Sequence, residues 1–61
     1  MKHWIEVTGK FAYNRMFINL NNVDTILEYN GEVHIYYVGD EEPTCVLETY
    51  DEIVTKIKNS I

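Results

Sequence analysis

The sequence predicts an α+β fold: a small antiparallel sheet of four to five strands, open to strong curling or barrel-like closure, with one C-terminal helix. Three observations carry this. Short runs of alternating apolar and polar residues recur through the first three quarters of the chain. Asn30-Gly31, between two such runs, is the signature of a two-residue type I′ hairpin. After Thr49 the apolar period lengthens to that of a helix.

Residues 3–8 (HWIEVT) alternate as a first strand, Ile5 and Val7 on one side, Trp4 and Glu6 on the other. Gly9 ends the run, and residues 10–14 read as a turn. Residues 15–19 (RMFIN) form a second strand, Met16 and Ile18 opposite Phe17. The stretch Asn19-Leu20-Asn21-Asn22 breaks it as a turn or a single helical turn. Residues 23–29 (VDTILEY) and 32–38 (EVHIYYV) are the two arms of the Asn30-Gly31 hairpin. Residues 39–43 (GDEEP) are an acidic loop, and residues 44–48 (TCVLE) a short fifth strand. Thr49-Tyr50-Asp51-Glu52 then fits a capping box, with acids at the helix start and Lys56 and Lys58 near its end. Tyr50, Ile53, Val54, Ile57 and Ile61 fall on one helical face.

This pattern places Ile5, Val7, Met16, Ile18, Val33, Ile35, Cys45 and Leu47 in the core. Trp4, Phe17, Tyr36 and Val38 go to the other face, beside Glu6, His34 and Glu48. One helix covers one side of a sheet, whereas both sides here carry large apolar groups. A second apolar face implies a partner, a second copy, or a sheet that curls over itself or closes as a barrel. Size favours association. A 61-residue chain has a core that seldom supplies more than about 3–5 kcal/mol, and its single cysteine forms no internal disulfide. Trp4, Phe17, Tyr36 and Val38 are therefore the candidate interaction face.

The net charge of −5 is unevenly laid out. No Lys or Arg lies between Arg15 and Lys56, a stretch holding nine acids. Such a surface repels phosphate backbones, so direct nucleic-acid binding through a basic patch is not expected. It would attract a basic protein surface instead. Asp40, Glu41 and Glu42 are the candidate docking surface, and the alternative for this loop is plain solvation. The longest uncharged apolar run is four residues, 35–38, too short for a membrane span. With no apolar leader after Lys2, a soluble, single-domain, cytoplasmic protein is expected.

No catalytic, metal or cofactor pattern emerges, and none is expected. His3, His34 and Cys45 are the only soft ligands and lack ligand spacing. Cys45 has no basic neighbour in sequence to stabilise a thiolate, so a core cysteine is the better reading. GDEEP lacks the alternating ligands and central glycine of a calcium loop. Trp4, Lys10, Tyr13 and Arg15 bring aromatic and basic groups to the first hairpin. They are a candidate site for a nucleotide or phosphate, against the plainer reading of aromatic groups covering a sheet edge.

FINLNNVDTILEYNGEVHIYY followed by VLETYDEIVTKIK resembles the small FlbD-like proteins of swarming motility and flagellar operons. The shared pattern is an apolar strand, an Asn-containing turn, an I-x-x-I-E strand, a hairpin, and a V-x-E segment leading into a short helix. Residues 17–19, 23–28, 33–36 and 46–56 match it. The family's L-T-R-L-x-G start is represented only by IEVTG at residues 5–9, and GDEEP replaces its glycine turn before the last strand. Similar β-sheet-plus-helix proteins occur in phages and mobile elements. The resemblance implies a non-enzymatic accessory protein that contacts another protein. The sequence thus predicts a regulator or inhibitor that self-associates and docks a basic partner. The alternative is a protein that binds or sequesters a nucleotide signal at a subunit interface.

Overall fold

The computed structural model describes residues 2–60. Strands β1 (Trp4–Thr8), β2 (Arg15–Asn19), β3 (Val23–Tyr29), β4 (Glu32–Tyr37) and β5 (Thr44–Val46) precede helix α1 (Tyr50–Asn59). The strands form two antiparallel sheets rather than one of four to five. β1 pairs with β2, and β3, β4 and β5 pair in that order. Among the described residues no barrel closes, and one isolated bridge, Gly9 to Val46, links the sheets. The Lys10 amide donates to the Cys45 carbonyl at 2.9 Å, and the Leu47 amide to the Thr8 carbonyl at 2.9 Å. Glu48 clamps the same seam: its two carboxylate oxygens accept the Thr8 amide at 2.8 Å and the Thr8 hydroxyl at 3.0 Å. An added Cβ on Gly9 would lie 2.3 Å from Asn14 Oδ1, so a side chain here would require the Asn14 amide to swing away.

The local signals act as their chemistry requires. Asn30 and Gly31 have φ of 52° and 78°, both positive as a type I′ turn demands, and Tyr29 faces Glu32 across the hairpin. Asn19 caps a single 3₁₀ turn, Leu20–Asn22, by accepting the Asn21 amide. Thr49 caps α1. Its hydroxyl accepts the Glu52 amide at 3.1 Å, while Glu52 accepts the Thr49 amide at 2.8 Å.

Ile5, Val7, Ile18, Val33, Ile35, Val46 and Ile53 are buried, with Met16, Leu20, Val23, Ile26, Tyr37 and Ile57 packed around them. Two core assignments are corrected. Cys45 is half-buried and Leu47 exposed, and Val46 takes the inward position. The reason is register. Val46 pairs with inward Val33, paired residues in an antiparallel ladder share a face, and their chain neighbours point away. Met16 is only half-buried, and Tyr50 at the helix start is exposed. Ile61 lies outside the described residues.

Three strand ends also differ. His3 has φ of 67° and stands outside β1. β4 stops at Tyr37, because Val38 turns to bond Asn22 and Gly39, at φ 89°, begins the loop. β5 stops at Val46, before the bonds that Leu47 and Glu48 make to Thr8.

Candidate interaction surface

The register of β1 on β2 decides what the first hairpin presents. Ile5 faces Ile18 and Val7 faces Met16 across the inner side. Trp4, Glu6 and Thr8 therefore point outward with Arg15, Phe17 and Asn19. Glu6 lies directly opposite Phe17, which puts Trp4 and Arg15 on the two diagonals of that pair. Arg15 reaches along one diagonal, its Nη2 at 2.7 Å and its Nε at 2.9 Å from Glu6 Oε2. Trp4 and Phe17 are both exposed. The turn beyond adds Phe11, 82% exposed, and Tyr13, 73% exposed. Tyr13 is held at a φ of 53°, a left-handed conformation that costs a side-chain-bearing residue about 1–2 kcal/mol. Lys56, Asn59 and Ser60 border the Trp4 end, around an open hollow of about 250 Å³.

The four residues of the candidate interaction face do not share one surface. Trp4 and Phe17 are together on the hairpin. Tyr36 is on the outer side of the three-stranded sheet, with Leu27, His34 and Cys45, because it pairs with Thr25 while inward Ile35 pairs with Ile26. Val38 is exposed beside the acidic loop. The parity of β1, β2 and β4 was readable, but that of β5 and the assignment of strands to two sheets were not.

The candidate ligand residues are likewise divided. Trp4 stands at the start of β1, while Lys10, Tyr13 and Arg15 are at or beyond its far end. Four residues of strand separate them, about 13 Å. Both cations are engaged, Arg15 with Glu6 and Lys10 with Glu32. Sequence reasoning passed over Phe11. Its signal was a large aromatic inside a turn, where no strand face exists to bury it.

Asp40, Glu41 and Glu42 are all exposed in the loop after β4. The loop is anchored through the Asp40 amide, which donates to the Tyr37 carbonyl at 3.0 Å. Among the described residues no Lys, Arg or His pairs with these three carboxylates. Glu48, expected on the free sheet face, is instead committed to Thr8.

His34 Nε2 lies 3.5 Å from Glu32 Oε1, and its ring is tilted against Tyr29 at 6.4 Å. Among the described residues, no three His, Cys, Asp or Glu side chains converge to hold a metal ion, and no helix is long and apolar enough to cross a membrane. A hollow of about 400 Å³ between the 3₁₀ turn, β3 and the end of α1 is open to solvent and mostly apolar, with Leu20, Val23, Ile26 and Ile57 in its wall.

Comparison with protein-family models, curated proteins and solved structures finds no match to this chain.

Proposed function

We propose that this protein is a non-catalytic interaction module, a small regulator or inhibitor that self-associates and docks a basic partner protein through its acidic surface. The observation that carries the reading is the loop Asp40–Glu41–Glu42, three exposed carboxylates with no basic partner among the described residues. Unpaired acids on a short anchored loop create a local negative field that steers a basic surface into contact and loses strength as salt rises. Exposed aromatics on a separate part of the molecule supply a second contact surface. The chemistry of an accessory protein, as the FlbD-like resemblance implies, is of this kind.

The test is capture from host lysate by immobilised protein, wild type against the variant Asp40→Asn/Glu41→Gln/Glu42→Gln, at low and high salt. The reading expects a basic protein retained by the wild type at low salt, released by high salt, and absent from the triple variant. Equal capture by the two proteins would remove the loop from any docking role.

A further inference from the structure

We propose that the outer face of the β1–β2 hairpin is a two-fold interface with a second copy of this chain, in which Glu6 of each copy meets Arg15 of the other around Trp4 and Phe17. The proposal rests on the self-association reading above and assigns it a face. Its first support is apolar exposure. Phe17 is 58% exposed with Trp4 beside it on the same side of a two-stranded ribbon, and Phe11 and Tyr13 extend the aromatic surface into the turn. Trp, Tyr and Arg are the residue types that dominate interface energetics.

Its second support is charge. Each chain carries −5, so most ways of bringing two copies together set carboxylate against carboxylate. The other exposed apolar residues show this. Val38 adjoins Asp40–Glu41–Glu42, Leu47 adjoins Glu48, and Tyr29 adjoins Glu28. The hairpin face differs. Its acid, Glu6, is matched by Arg15, and its two ends carry opposite charges, the Glu48 carboxylate on the Thr8 hydroxyl at one and Lys56 beside Trp4 at the other.

A surface that holds both members of an ion pair is complementary to itself under two-fold rotation, because acid meets base twice. The Glu6–Arg15 pair within one chain is then the same pair exchanged between two. A ribbon of five residue pairs measures about 17 Å by 10 Å, well short of the roughly 800 Å² per partner of a standard interface. An interface this small belongs to the weak, transient class and responds to dilution.

The experiment is native mass by light scattering over a concentration series reaching about 1 mM. It is run on the wild type, Glu6→Arg, Arg15→Glu, an equimolar mixture of these two variants, and Phe17→Asp, with far-UV circular dichroism to confirm folding. The wild type is expected to pass from monomer to dimer mass as concentration rises, with a blue shift of the single tryptophan, Trp4. Each charge variant alone is expected to stay monomeric, since positions 6 and 15 then carry one sign, as is Phe17→Asp. The mixture is expected to dimerise at least as strongly as the wild type, because two basic residues at positions 6 and 15 then meet two acidic ones. Recovery on mixing cannot come from a pair confined to one chain. A wild type that stays monomeric to about 1 mM overturns both this face and self-association, leaving acidic-loop docking to its own capture experiment. A dimer indifferent to all three substitutions overturns this face alone.

Discussion

At the scale of single residues, the sharpest contrast is between neighbours on β5. Val46 is 3% exposed, in contact with a core that includes Val33 and Ile53, while Cys45 is half-buried on the outer side. Placing a hydroxyl at Val46 removes buried methyl groups and leaves a polar atom in an apolar site. Together these cost about 3 kcal/mol. The same change at Cys45 is nearly isosteric at a site that keeps access to water, and the cost falls below about 1 kcal/mol. For a domain with only about 3–5 kcal/mol in total, that difference separates a folded protein from a largely unfolded one. Urea denaturation of Val46→Ser and Cys45→Ser measures it. Equal midpoints would mean that β5 does not present Val46 inward. The ambiguity is physical. Cys45, Val46 and Leu47 are consecutive apolar residues, so a three-residue strand has no polar position to mark its parity, and only pairing with Val33 resolves it.

At the scale of elements, the local signals and the long-range ones separate cleanly. The capping box of α1 and the positive-φ turn at Asn30-Gly31 are written in adjacent residues and were legible at once. The clamp of Glu48 on Thr8 spans forty residues, and nothing local to TCVLE marks it. The division into two sheets, in which β2 does not pair with β3, is equally a matter of long-range pairing and was equally hidden. The site divides the same way. Exposed Trp4 and Phe17 and the unpaired loop acids follow from pattern and charge, whereas the separation of Tyr36 from them follows from topology. The capping box also gives α1 a pH dependence. The hydrogen bonds that Glu52 accepts from the Thr49 amide and makes with the Thr49 side chain, helped by the charge of Lys56, hold its carboxyl below the usual carboxylate value. A depressed folded pKa gives stability that is present above the ordinary carboxylate range and lost as pH falls through the folded value. Wild type is thus expected to exceed Glu52→Gln in stability at about pH 7 and to converge with it near about pH 3. Thr49→Ala removes the acceptor hydroxyl and costs about 1 kcal/mol at neutral pH. Thermal melts of the three proteins across that range check both statements, and a gap between wild type and Glu52→Gln that widens on acidification contradicts the assigned sign.

At the scale of the whole molecule, the balance of charge works against the compact state. Ten acids face five bases, and the Lys and Arg ion pairs among the described residues are Lys10–Glu32 and Arg15–Glu6. Both are partly or largely solvent-exposed, a setting in which a pair contributes about 0–1 kcal/mol. The nine acids between Arg15 and Lys56 are drawn into a body with extents of 27 × 24 × 20 Å. At about 0.01 M ionic strength the screening length is roughly 30 Å, longer than the molecule, so every acid feels the others; at about 0.15 M it is roughly 8 Å. Salt therefore weakens two opposed terms, the exposed pairs and the general repulsion, and the excess of unpaired acids makes repulsion the larger. The melting temperature at fixed protein concentration is expected to rise by about 2–4 °C between those salt levels, equivalent to about 0.5 kcal/mol for a domain of this size. The rise should be smaller in Asp40→Asn/Glu41→Gln/Glu42→Gln, whose net charge is −2 by removal of three of the five excess acids. A melting temperature that falls with salt would mean that the few ion pairs outweigh the repulsion.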